Sequence, residues 1–156
     1  MKKYNSKRSI DLDYLKQNYY NNPKQIHLEL FKIIEKKKSL SNNNLKYCDV
    51  GCADGQFINL ISKKTNFSIT GVDVHKKLLN KAKKNIKDLK VIEGSVLDKS
   101  LFRKNSFDVI TMTGVLSIFK NFSQPLNNLM YWCKPGGFLI VTSVFNDCDI
   151  DVFINY

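Results

Sequence analysis

The chain has 156 residues, 43% of them hydrophobic and 25% charged, which is the length and composition of one soluble globular domain. No apolar run approaches the ~18 residues of a membrane-spanning helix. Met1-Lys2-Lys3 leads into polar sequence rather than the apolar stretch of a secretory signal, so a cytoplasmic location is expected. The formal net charge of +11 invites a nucleic-acid reading, but of 25 basic residues only Arg8 and Arg103 are arginines. The guanidinium fork that reads phosphate and guanine is therefore scarce. With runs such as Asn42-Asn43-Asn44, the lysines read as a compositional bias, and nucleic acid is not the expected partner.

In chain order, residues 1–22 are polar with Tyr4, Tyr14, Tyr19 and Tyr20 interspersed, an arm with room for one short helix. Ile26, Leu30, Ile33 and Ile34 follow Pro23 at helical spacing and predict an amphipathic helix over 24–38. After a turn at 41–44 the pattern alternates. Strands are predicted at 45–50, 67–72, 90–92, 107–112 and 138–144. Helices are predicted after Gly55, around Leu78-Leu79-Ala82-Ile86, and around Leu126, Leu129, Met130 and Cys133, which share one face. Pro135-Gly136-Gly137 reads as a turn before the last strand. Strands separated by helices imply βαβ units and a parallel sheet. Cys48, Cys52, Cys133 and Cys148 lack C-x-x-C or metal-ligand spacing, so reduced thiols and no metal site are expected.

Two stretches carry chemistry. Asp49-Val50-Gly51-Cys52-Ala53-Asp54-Gly55-Gln56 takes a strand through a loop of small residues into a helix, where backbone can approach a ligand and free amides face it. Such loops also occur for packing alone. Asp73, in Gly71-Val72-Asp73-Val74, falls 22 residues after Gly51 at the end of the second strand, where a carboxylate can take both ribose hydroxyls. Capping the next helix is its alternative role. Together they point to an adenosine-containing ligand. As a dinucleotide fingerprint the loop fails, because Ala53 and Gln56 stand where glycines belong. Asp49 would repel a diphosphate and attract an ammonium.

At this point the chain resembles the class I S-adenosylmethionine-dependent methyltransferases. Asp49–Gly55 is similar to their first motif, Gly71–Val74 to their ribose motif and Val91–Val96 to their adenine motif. Ser106–Ile110 is similar to the fourth strand, and Leu129–Phe138 to the helix-turn before strand five. The similarity spans about residues 45–144 and is greatest to small-molecule methyltransferases. It implies a Rossmann-like α/β fold with strand order 3-2-1-4-5. It also implies S-adenosylmethionine as cofactor, with S-adenosylhomocysteine as product. By the resemblance, Gly51, Cys52, Ala53 and Gly55 line the methionine portion through their backbone. Asp49 holds the ammonium directly or through water, Asp73 takes the ribose, and Val74, Ser95 and Val96 hold the adenine. Thr113 and Gly114 lie beneath the sulfonium. Ser95 stands where relatives often carry Asp, and Val115–Phe119 lacks the histidine or acid common there.

Methyl transfer needs alignment more than a base. His27, on the first helix, is the weak catalytic candidate, with a structural role the commoner fate. The Tyr14, Tyr19 and Tyr20 group either lids the cofactor or packs on the core, and packing is preferred. The chain divides into an arm and helix over 1–44, which can serve as a lid, and a cofactor domain over 45–156. Only residues 145–156 follow strand five, too few for the helix and two strands that usually complete the family's sheet. The C-terminal strands are therefore expected to be missing, and a homodimer or partner to cover the strand-five edge. The expected function is methyl transfer to a small-molecule acceptor. The alternative is a cofactor-binding fragment or partner-dependent module without activity, and RNA methylation is the weakest reading.

Overall fold

The computed structural model describes residues 9–16, 19–37 and 44–143. A 3₁₀ segment, Ser9–Leu15, and helix α1, Gln25–Lys37, precede the alternating part. There β1 (Lys46–Val50), α2 (Gln56–Lys64), β2 (Ser68–Asp73), α3 (Lys76–Asn85) and β3 (Lys90–Glu93) follow one another. A short 3₁₀ turn leads to β4 (Phe107–Thr113), and α4 (Ser123–Trp132) leads to β5 (Cys133–Thr142). The sheet runs β3-β2-β1-β4-β5, with every pairing parallel. This is the expected order. Parallel neighbours need crossovers, which α2, α3 and α4 supply. The chain moves outward from β1 to β3, then returns to place β4 on β1's other side. The order thus reverses between β1 and β4, and a crevice opens there above the strand C-termini.

Side-chain alternation along the strands divides the core. Tyr47 and Val109 face a layer with Leu30 and Ile34 of α1 and Ile58 and Ile61 of α2. Cys48, Val50, Ile110 and Met112 face the other layer with Leu129 and Trp132 of α4. Helices α1, α2 and α3 each carry a lysine pair in the last turn: Lys36-Lys37, Lys63-Lys64 and Lys83-Lys84. Positive charge there complements the helix dipole, so part of the basic excess serves helix ends. Among the described residues no helix is long and apolar enough to cross a membrane. Cys48, Cys52 and Cys133 are free thiols, and Cys148 lies outside the described residues.

Three expectations are corrected around β5. Cys133 opens the strand instead of closing α4. Met130 is 58% exposed and so does not share the buried face of Leu129. The expected turn at 135–137 is a bulge inside β5: Phe107 pairs with Cys133, yet Val109 pairs with Phe138. Residues 134–137 are looped out there, and Lys134 swings back to bind Asp108 at 2.8 Å. The expected strand end at Val144, and residues 145–156, lie outside the described residues.

Candidate functional site

The crevice at the reversal point is an open cleft with about 680 Å³ of space, solvent at its mouth included. Gly51, Ala53, Asp73, Val74, Ser95, Val96, Thr113 and Gly114 all line it. Three strand ends and two loops bring these together, because parallel neighbours in register end at one level: Val50 pairs with Val72, and Asp73 with Glu93.

The loop after β1 is folded by its own amides. Gly51 and Cys52 both donate to the Val72 carbonyl, at 2.8 and 3.0 Å, and Gly55 donates to Cys52 at 2.9 Å. Ala53, in the left-handed region at φ +50, donates to Asp73 Oδ2 at 2.9 Å. A non-glycine residue there costs about 1–2 kcal/mol, which the charge-assisted bond offsets. Asp73 Oδ1 accepts from the His75 amide at 2.8 Å and approaches His75 Nδ1 at 3.2 Å. The carboxylate is thus both the cleft wall and the brace for the start of α3. The two roles proposed for it from sequence are not exclusive, since a carboxylate has about four acceptor sites.

Other expected site residues lie elsewhere. Gly55 is not in the cleft wall. Its φ is +83, and an added Cβ would lie 2.9 Å from both Ala82 Cβ and Ile86 Cδ1. The bare backbone there admits α3 rather than a ligand. Cys52 is 6% exposed, and its thiol packs against Gly71, where a Cβ would come within 2.9 Å of the sulfur. Gly51 does line the cleft, but a Cβ on it would strike Val115 Cγ2 at 2.2 Å.

Asp49 is also behind the wall rather than in it, 4% exposed. It accepts from Thr111 Oγ1 at 2.7 Å. With Thr111's single proton so directed, Tyr47 donates to Thr111 Oγ1 at 2.6 Å. Burial pushes the Asp49 carboxyl up to about 7, with the Asp73 charge adding to the rise and the Thr111 hydrogen bond opposing it. The sequence expectation is an ammonium contact made directly or through water, and the carboxyl lies behind the cleft wall.

His27 does not line the cleft either. Its ring stacks on Phe57 at 5.1 Å between centroids, its buried Nδ1 finds no partner among the described residues, and burial, helped by the charge of Lys24, pulls it down to about 4. That is the environment of a packed ring rather than a poised base.

Sequence reasoning missed Leu78, Val115 and Phe119 as wall residues. Leu78 was legible as the first apolar position of α3. For Tyr14 the sequence leaves a lid and core packing open, with packing preferred; packing describes Tyr20, which lies against the α1–α2 core layer, while Tyr14 lines the cleft. Across the wall from Asp73, Thr113 Oγ1 is buried and finds no partner among the described residues. A buried hydroxyl without a partner is uncommon and suits a ligand atom.

A family described as a methyltransferase domain matches residues 41–150. The ubiquinone biosynthesis O-methyltransferase of Rickettsia typhi is 26% identical over 157 residues, covering 92% of this chain. The chain spans 63% of that relative's length. Among solved structures, a Methanococcus maripaludis protein assigned as an S-adenosyl-L-methionine-dependent methyltransferase aligns with TM-score 0.67 and 21% identity, covering 88% of this chain and 65% of its own. A Haemonchus contortus phosphoethanolamine N-methyltransferase, solved with phosphomonomethylethanolamine and S-adenosylhomocysteine, aligns with TM-score 0.66 and 17% identity, covering 86% and 32%. At these identities the structural likeness speaks for the fold.

Proposed function

The chain belongs to the methyltransferase-domain family, whose model matches it over residues 41–150, and on that premise we propose that it transfers the methyl group of S-adenosylmethionine to a small-molecule acceptor. The observation that carries the reading is the Asp73 carboxylate, preset by the Ala53 and His75 amides at the wall of the cleft. The same loop argues against a dinucleotide. The amides of Gly51, Cys52, Ala53 and Gly55 are all taken up inside the protein, whereas a pyrophosphate needs such donors free.

The cofactor supplies a methyl carbon already activated by a cationic sulfur. The residues of the chain bind and orient it. Asp73 accepts the ribose hydroxyls through lone pairs left over from its two amide bonds. Val74 and Leu78 offer apolar surface to the adenine, beside Ser95 and Val96. The backbone of Gly51 and Ala53 follows the methionine portion, with Asp49 contributing charge from behind the wall. Thr113 and Gly114 close the floor, and the Thr113 hydroxyl, which finds no partner among the described residues, gains one. Val115, Ile118 and Phe119 continue the wall with apolar groups, excluding water where the acceptor's lone pair forms its bond to carbon and the carbon–sulfur pair returns to sulfur.

The test is to incubate the protein with methyl-labelled S-adenosylmethionine and a fractionated small-molecule extract. Label appearing in one small-molecule fraction supports the reading. Label appearing only in added RNA would replace it with nucleic-acid methylation, and protein that binds cofactor yet labels nothing would replace it with a non-catalytic module.

A further inference from the structure

One charged side chain outside the cleft ties three separate parts of the molecule together. Lys81, on α3, has its ammonium 2.7 Å from Asp54 Oδ2. It also donates to the carbonyls of Tyr14 at 2.9 Å and Leu15 at 3.2 Å. Asp54 belongs to the loop after β1 and its side chain is 1% exposed, while that of Lys81 is 22% exposed. The far end of the same N-terminal stretch is fastened to the same loop. The Tyr20 hydroxyl donates to the Asp54 carbonyl, and Asn59 on α2 donates to the Tyr20 carbonyl at 2.7 Å. Tyr14, at the first of these fastenings, lies at the cleft, where it joins the wall with Leu78 and His75. The 3₁₀ segment that bears it packs on α3.

Holding a lysine on main-chain carbonyls costs the rotamer freedom of its four-carbon stem. A buried ion pair is also a weak source of stability compared with apolar packing, although breaking it from one side is expensive. The arrangement makes sense as a register device. The position of the glycine loop, fixed through Asp54, sets the position of the tyrosine above it.

Resting on the cofactor reading above, we propose that Lys81 is a positioning residue. By binding Asp54 and the Tyr14–Leu15 backbone at once, it latches the 3₁₀ segment against the cleft and holds Tyr14 on bound S-adenosylmethionine. Lys81 touches no ligand itself and acts through Tyr14. The segment lids the cofactor, and its hold depends on the shape of the loop that the cofactor contacts.

The experiment uses the full chain and S-adenosylhomocysteine as the probe. The double variant D54N/K81M removes the latch without leaving a lone buried carboxylate. Calorimetry is expected to give a dissociation constant about tenfold weaker for this variant, and similarly for Tyr14→Ala, a change of one decade. The triple variant Y14A/D54N/K81M should be no weaker than either, because residues acting in series are non-additive. Trypsin should also cut after the exposed Lys16 faster in the double variant. Full multiplicative loss in the triple variant, or wild-type affinity in the double variant or in Tyr14→Ala, would overturn the latch. Should the unaltered protein fail to bind S-adenosylhomocysteine, the proposed function falls. The cleavage rates then decide the latch alone: faster cutting in the double variant supports it and equal cutting overturns it.

Discussion

Ala53 and Asp73 hold one another in place. The amide of Ala53, at φ +50, donates to Asp73 Oδ2 at 2.9 Å, so a sparsely populated backbone conformation and a carboxylate of the cleft wall are fixed by the same bond. The first prediction follows from it. Asp73→Ala should weaken S-adenosylhomocysteine binding by about 1.5–3 kcal/mol, the range for hydrogen bonds to a charged group. Asp73→Asn, which keeps one oxygen acceptor, should lose less. Calorimetry on both variants checks this, and an unchanged dissociation constant in Asp73→Ala would reduce the carboxylate to a brace for the loop and for α3.

Gly51 and Gly55 should respond differently to the same substitution. Gly55→Ala drives a Cβ into Ala82 and Ile86 and requires a left-handed alanine, so it should cost stability by at least about 1 kcal/mol. Affinity per folded molecule should fall less than in Gly51→Ala, because Gly55 is not in the cleft. Gly51→Ala meets Val115, itself a wall residue, and should lose ligand affinity as well as stability. Thermal midpoints and calorimetry separate the two, and equal loss of affinity in both would show that Gly55 does contact the ligand.

Asp49 makes stability and binding depend on pH in opposite directions. Its folded pKa is about 7, above the 3.8 of a free Asp side chain. Between those values the native state holds the extra proton, so stability present at low pH is lost as pH rises through about 7. The full contribution is at most about 4 kcal/mol, at 1.36 kcal/mol per pKa step. Ionised Asp49 attracts a cationic cofactor, so S-adenosylmethionine binding should strengthen between pH 6 and 8. Asp49→Asn should flatten both profiles. A variant that keeps the wild-type binding profile would place the titrating group elsewhere.

His27 should matter for acid stability and not for catalysis. Its pKa is depressed to about 4, below that of a free histidine, so stability is intact above about 6.5 and lost as pH falls toward 4. His27→Phe keeps the stacking on Phe57 and should be more resistant to denaturant at pH 5 than the original protein, with affinity for S-adenosylhomocysteine unchanged. Weaker binding in this variant would return His27 to the site.

The elements were legible because strands and helices alternate with clear periods, and Asp73 was legible because its distance from Gly51 fixes it at the neighbouring strand end. Gly55 and Cys52 were misplaced for a physical reason: a small residue in a loop makes room, and sequence does not say whether ligand or helix fills it. The charge of Asp49 was readable, but its depth was not. Met130 kept the helical period of a buried face while the face itself was narrower. Tyr14 reaches the cleft on a segment whose backbone is bound by Lys81, 67 residues away from the Tyr14 carbonyl in sequence, and no local pattern encodes such a contact.

The central claim is that the cleft at the β1–β4 reversal is built for an adenosyl sulfonium ligand, and one titration addresses it most directly. S-adenosylhomocysteine and NAD are each titrated calorimetrically into the full chain and into Asp73→Ala. The account predicts one site for S-adenosylhomocysteine, weakened in the variant, with NAD at least about 100-fold weaker, a gap of roughly 2.7 kcal/mol. Tighter binding of NAD, or S-adenosylhomocysteine binding that ignores the loss of Asp73, would contradict it.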